Sequence, residues 1–133
     1  MNTRPQAWLD QARNDLELAV LADTRDFHAQ ACFFASQAAE KALKGAILEL
    51  GAEPAHTHQL TELVMCLTSL GVPTEPLLQL RLKPLSRMAT STHYPDDDTP
   101  PLERFDHQDA EESIRCAQEV MRIVEQWDSP LST

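Results

Sequence analysis

The sequence predicts an all-α protein, an antiparallel up-and-down bundle of four or five helices that forms one domain over residues 1–133. Apolar residues recur at helical spacing along almost the whole chain. The connections between these stretches are short, which is typical of antiparallel bundles. The chain contains only 3 glycines, too few for a β sandwich with many turns. A chain of 133 residues can bury one core without disulfide or metal staples.

Two long helices are predicted in the N-terminal half. The first runs from about Pro5 to Ala22, because proline suits the first turn of a helix and an apolar stripe follows it. The second runs from about Asp26 to Leu50 and ends at Gly51, a natural residue for a helix C-terminus. The inward positions are predicted to be Trp8, Ala12, Leu16, Ala19 and Val20 in the first helix and Ala31, Phe34, Ala35, Ala38, Ala42 and Ile47 in the second.

Two shorter helices are predicted next. The third covers about His58 to Leu70 and stops at Gly71. The fourth covers about Glu75 to Ala89. Pro84 lies inside it and should kink or split it, because proline lacks the N–H that a helix interior needs.

The C-terminal third is predicted to contain one long loop and one long helix. Residues 90–105 include three prolines and three consecutive aspartates, and a loop of that length is often functional. Asp106 is expected to cap a last helix that runs to about Trp127. Residues 128–133 are expected to be a frayed tail.

Composition narrows the range of functions. The chain has 11 Lys and Arg against 21 Asp and Glu, so its net charge is −10. Phosphates would meet a repulsive field, and we expect no DNA partner. No apolar run is long enough to span a membrane and no signal core begins the chain, so we expect a cytoplasmic protein without a membrane partner. The 3 cysteines are interpreted as buried apolar residues. His56 and His58 are only a weak metal signal, and neither a metal nor a cofactor is predicted.

Four polar residues of the second helix share one face, because they lie at positions i, i+3, i+4 and i+7. They are Gln37, Glu40, Lys41 and Lys44, called here the α2 stripe. The simplest interpretation is a solvated face with a Glu40–Lys44 pair. The neighbouring residues are mostly alanine, however, so a slim helix could bring two cations and an amide to a phosphate or to a dimer seam.

The segment from Phe33 to Lys44 resembles the signature of the HEPN domain family, an aromatic residue followed by Gln-x-x-Glu-Lys-x-x-Lys on the second helix. Three other segments resemble family patterns and occur in the same order. They are Trp8 with Asp15, Leu16 and Ala19 in the first helix, His58 with Leu60 and Leu63 at the third, and Tyr94-Pro95-Asp96 after the fourth. The resemblance covers about Ala7 to Trp127.

The resemblance implies a bundle of four to five helices that usually forms a homodimer. Many members are encoded beside a minimal nucleotidyltransferase and form toxin–antitoxin or related two-component systems. We therefore expect a subunit that binds a nucleotidyltransferase, a nucleotide or RNA through the α2 stripe together with Tyr94 and Asp96. In such systems the partner can modify a tyrosine near a histidine with AMP, and whether Tyr94 is modified stays open.

Some family members are metal-independent ribonucleases with an Arg-x(4–6)-His motif, and Arg87 and His93 have the allowed spacing. His93 would move the 2′-hydroxyl proton and Arg87 would stabilise charge on the phosphate. Met88, however, occupies a position that is polar in the related nucleases, and Tyr94 follows the histidine directly. A binding role is therefore preferred to catalysis. The alternatives are an endoribonuclease toxin that uses Arg87 and His93, and a stand-alone homodimer that binds a nucleotide or another anion.

Overall fold

The computed structural model describes residues 3–92 and 99–128, and within these the chain is helical, as the sequence predicts. Three helices of 22 residues form the frame, and two of 10 residues and two of 4 residues complete it. The seven helices of the described residues are α1 (Thr3–Thr24), α2 (His28–Glu49), α3 (Leu60–Ser69), α4 (Glu75–Leu78), α5 (Leu82–Ser91), α6 (Pro101–Arg104) and α7 (His107–Asp128). None of them is both long enough and apolar enough to cross a membrane.

Helix α2 lies at the centre of the bundle and contacts α1, α3, α5, α6 and α7. A helix surrounded in this way needs small side chains, and α2 buries six alanines. Gly45 has the closest approach: a Cβ there would lie 3.3 Å from Trp8 Cβ and 3.4 Å from the Pro5 carbonyl oxygen. The larger core side chains come mostly from the C-terminal half of α2 and the shorter helices, and include Leu43, Ile47, Leu60, Leu63, Leu67, Leu77 and Leu85.

The inward face of α1 differs slightly from the predicted stripe. Ala12 and Ala19 are fully buried as expected, but the side chain of Val20 is exposed and Ala22 takes the next inward position. Successive inward positions three or four residues apart lead from Ala19 to Ala22, so Val20 falls outside the face.

The predicted fourth helix is split, as Pro84 led us to expect. Helix α4 ends at Leu78 and α5 begins at Leu82, so that Pro84 occupies the third position of α5. The first-turn N–H groups of a helix have no partner within the helix, and proline is tolerated there. Helix α5 also supports the start of α3, since the Ser86 hydroxyl accepts a hydrogen bond of 2.9 Å from the backbone N–H of Leu60.

The prediction that residues 90–105 are wholly irregular was wrong at both ends. Helix α5 continues to Ser91, whose hydroxyl donates to the Arg87 carbonyl oxygen at 2.8 Å, and Thr92 does the same to Met88 at 2.6 Å. The Met88 carbonyl is one of the last four of α5, which have no N–H partner within the helix. Helix α6 then forms at Pro101–Arg104, where a proline occupies the first position.

The start of α7 confirms the predicted cap at Asp106. The Asp109 N–H donates to the Asp106 carboxylate at 2.9 Å, and the Asp106 N–H donates to the Asp109 carboxylate at 3.0 Å. This reciprocal arrangement satisfies two N–H groups at once, as a capping box does. It fixes His107 as the first residue of α7.

Candidate functional site

The α2 stripe is not a solvated face. The side chains of Glu40 and Lys44 are only 7% and 10% exposed, and Gln37 and Lys41 are half-buried. Charges taken out of water must be paired and hydrogen-bonded to be tolerated. The partners of these side chains therefore decide what the stripe can do.

Glu40 is held through both carboxylate oxygens. Lys44 Nζ lies 3.0 Å from Oε2 on the same helix, and His58 Nδ1 lies 2.8 Å from Oε1 across the connector that precedes α3. Lys44 Nζ also lies 6.0 Å from the centroid of the Trp8 ring of α1, within the range of a cation–π contact. Glu40 and Lys44 thus connect α2 to α1 and to the connector.

Lys41 is paired with a different carboxylate. Its Nζ lies 2.6 Å from Asp15 Oδ2 of α1, and the Gln11 amide donates to the other oxygen, Oδ1, at 2.9 Å. The Asp15 side chain is 4% exposed, whereas that of Lys41 is 26% exposed. Lys41 therefore spans from a buried carboxylate to the surface.

These contacts form two groups, Asp15 with Lys41 and Glu40 with Lys44 and His58, which together are called here the α1–α2 polar network. Two lysines face two carboxylates, so the formal charges cancel when His58 is neutral. A phosphate group is bound by cations that are not already neutralised. The network therefore offers little surplus positive charge.

The sequence identified only part of this network. His58 was expected to begin the third helix, but it precedes α3 and bonds the Glu40 side chain. Asp15 was noted only within the first-helix pattern. Both residues lie in segments that resemble family patterns, and that shared feature is the signal that links them to the α2 stripe. Helical spacing alone cannot pair residues of different helices.

The candidate nuclease residues are only partly described. Arg87 lies on α5 with an exposed side chain, and among the described residues its guanidinium has no ion-pair partner. His93, Tyr94 and Asp96 lie outside the described residues, so their predicted roles remain predictions. The chain on either side of them is held together, because Arg104 Nη2 of α6 donates to the Ser91 carbonyl oxygen at 2.7 Å.

The sequence did not predict a second polar cluster, at the ends of α1, α2 and α7. His28 Nδ1 lies 2.8 Å from Asp23 Oδ1, and His107 Nδ1 lies 2.9 Å from Asp23 Oδ2. The hydrogen bond and negative charge of Asp23 raise the pKa of His107 above its usual value. Asp23 and His107 are 84 positions apart in the sequence, so no local motif could have indicated the cluster.

Comparison with known proteins identifies one family and the same fold. The family model of the HEPN domain matches residues 5–127. The crystal structure of TT1696 from Thermus thermophilus superposes with a TM-score of 0.81 at 32% identity, covering 95% of this chain and 98% of that one. ST0689, an archaeal HEPN homologue, gives 0.76 at 32% identity, with 96% and 98% covered. A HEPN domain protein from Thermotoga maritima, tm0613, gives 0.70 at 25% identity, with 92% and 98% covered. Comparison with curated proteins gives no match.

Proposed function

The chain belongs to the HEPN domain family, and we propose that it works as the helical binding subunit of a minimal nucleotidyltransferase in a two-component, toxin–antitoxin-like system. In this proposal the chain is a homodimer and the nucleotidyltransferase is a protein partner. The partner contacts Gln37 of the α2 stripe, the exposed edge of the α1–α2 polar network and the segment that contains Tyr94 and Asp96.

One observation favours a protein partner over a phosphate ligand. Both lysines of the family signature are already paired, Lys41 with Asp15 at 2.6 Å and Lys44 with Glu40 at 3.0 Å. A nucleotide or RNA would have to displace an internal carboxylate to reach them, and would meet a chain of net charge −10. A protein surface needs no such surplus of cations. The same pairing disfavours the alternative of a stand-alone nucleotide-binding homodimer.

The network is suited to present a fixed polar edge. The side chains of His58 and Lys41 are 63% and 26% exposed, while the carboxylates that hold them are buried. Their positions are set before a partner arrives, so little side-chain entropy is lost on binding. Such an edge supplies orientation and specificity, in the way polar groups around an interface do.

The test is recovery of the partner from the organism's own cells. The tagged chain is isolated from native lysate, and bound proteins are identified by mass spectrometry. We expect a minimal nucleotidyltransferase with the wild type and less of it with Gln37→Ala or His58→Ala. Arg122→Ala, which removes an exposed cation of α7 paired with Glu119, is the matched control and should recover the wild-type amount.

The proposal fails if no nucleotidyltransferase is recovered with the wild type. Equal recovery by all variants would support the partnership but contradict the proposed contact surface. Thermal unfolding of each variant is recorded in parallel, so that a loss of partner is not confused with a loss of fold.

A ribonuclease is the second candidate, and one observation favours it. Arg87 is an exposed cation without an ion-pair partner among the described residues, which is what contact with a phosphate requires. The test is incubation with a mixed RNA pool in EDTA. Cleavage by the wild type that is absent in Arg87→Ala and His93→Ala, both still folded, would establish the nuclease. Intact RNA in all samples would contradict the nuclease and would mean that the spacing of Arg87 and His93 is a coincidence.

A further inference from the structure

The ends of three long helices meet at one corner of the bundle, away from the α2 stripe. Asp23 lies in the last turn of α1, while His28 and His107 are the first residues of α2 and α7. Asp23 and His28 are partly buried, and His107 is exposed. The corner therefore has one face open to solvent.

The three side chains point their donor atoms at one another. Asp23 Oδ1 lies 2.8 Å from His28 Nδ1 and 3.0 Å from His107 Nδ1, and Asp23 Oδ2 lies 2.9 Å from the same His107 nitrogen. One donor atom from each residue lies within 4.8 Å of the other two. Donors in a tetrahedral zinc site, with bonds of about 2.1 Å, are roughly 3.4 Å apart. Side-chain shifts smaller than one metal–ligand bond length would bring the three donor atoms to that spacing.

A second feature of the corner independently fits a metal site. The far nitrogen of each imidazole faces another carboxylate: His28 Nε2 lies 3.7 Å from Asp26 Oδ1, and His107 Nε2 lies 3.5 Å from Glu111 Oε2. Histidines that bind metals through one nitrogen usually donate from the other to a carboxylate, which orients the ring. Asp26 lies in the turn between α1 and α2 and has a left-handed backbone, with a φ of 66°.

We infer that Asp23, His28 and His107 bind one divalent transition-metal ion of the zinc, cobalt or nickel class. Two imidazole nitrogens and one carboxylate oxygen suit these ions, whereas magnesium prefers an all-oxygen shell. Three protein ligands leave one coordination position open to water. The ion replaces the hydrogen bonds that now join the three side chains and ties α1, α2 and α7 together.

The consequence of binding is stabilisation. An ion that binds the assembled corner and not the unfolded chain raises the free energy of unfolding by mass action. The sequence predicted no metal, so this site was not expected. It is independent of the nucleotidyltransferase proposal, since it uses none of the residues of the α1–α2 polar network.

The test titrates the untagged chain, stripped with EDTA and then dialysed, with Zn²⁺ by calorimetry and with Co²⁺ by visible absorption. Thermal unfolding is recorded with and without Zn²⁺. The site variants are His28→Gln and His107→Gln. The control is His56→Gln, an exposed histidine of the connector between α2 and α3. We expect one ion per chain, a ligand-field spectrum with Co²⁺, and a rise in Tm with Zn²⁺.

Each site variant should weaken Zn²⁺ binding by at least about tenfold and remove the rise in Tm, while His56→Gln should match the wild type. If His28→Gln does not fold, Zn²⁺ binding by His107→Gln decides the question, because His107 is exposed and its replacement does not disturb the core. The inference is overturned if the wild type shows no saturable binding of one Zn²⁺ ion per chain. It is also overturned if His107→Gln binds Zn²⁺ as the wild type does, or if His56→Gln loses Zn²⁺ binding.

Discussion

The substitution Lys44→Met tests whether the α1–α2 polar network holds the fold. Methionine keeps most of the length and apolar stem of lysine but removes the ammonium group from Glu40 Oε2, 3.0 Å away. The carboxylate is left with only His58 as a side-chain partner, at 2.8 Å. Removing one partner of a buried ion pair typically costs 3–5 kcal/mol, or about 3 kcal/mol here because His58 remains.

A double substitution separates pairing from packing. If the cost comes from an uncompensated carboxylate, then Glu40→Leu with Lys44→Met should bring stability back to within about 1 kcal/mol of the wild type. His58 loses its partner in that variant, but its exposed side chain can be solvated by water. The two substitutions should therefore be strongly non-additive.

Urea unfolding followed by circular dichroism measures these free energies, and thermal unfolding checks them. A loss of about 3 kcal/mol corresponds to a fall in Tm of about 10 °C for a domain of this size. Arg122→Ala, which breaks an exposed pair on α7, is the control and should leave the midpoint unchanged. A loss of stability for Lys44→Met no larger than that of this control would contradict the buried pair. A double variant whose loss equals the sum of the losses for Glu40→Leu and Lys44→Met would contradict it too.

Two further predictions follow from the packing of α2 and from the buried thiols. Gly45→Val should lower the free energy of unfolding by about 1–3 kcal/mol, because the valine side chain would press on Trp8. Urea unfolding measures the loss, and Glu49→Val, on the exposed side of α2, is the control. An equal loss of stability in both variants would contradict the close approach of α1 and α2 at Gly45. Burial raises the pKa of the Cys32 and Cys116 thiols to about 11, so at pH 8 about one in a thousand is a thiolate. Alkylation followed by mass spectrometry should label Cys32 only under denaturing conditions, and rapid labelling of the native chain would contradict its burial.

Much of the fold could be predicted because its causes are local. Apolar spacing located the long helices, and the cap at Asp106 and the break near Pro84 follow from the chemistry of single residues. The irregular stretch was overestimated for the opposite reason. Ser91 and Thr92 are poor helix formers on average, yet α5 continues to Ser91, and both hydroxyls donate to carbonyl oxygens one turn earlier in the helix.

The candidate site was less predictable because its contacts join distant parts of the chain. The spacing of Glu40, Lys41 and Lys44 showed that they share a face, but not that the face is covered. Asp15 lies 26 positions before Lys41, and His58 lies 18 positions after Glu40. Only the resemblance between separate segments and family patterns indicated a connection.

We propose that this chain binds a nucleotidyltransferase, in preference to cutting RNA or holding a nucleotide. Native mass spectrometry of the tagged chain, isolated from its own cells without crosslinking, tests it most directly. We expect a complex whose mass equals two copies of this chain plus a minimal nucleotidyltransferase. A spectrum that contains only the chain itself, or the chain with a nucleotide and no protein partner, would contradict it.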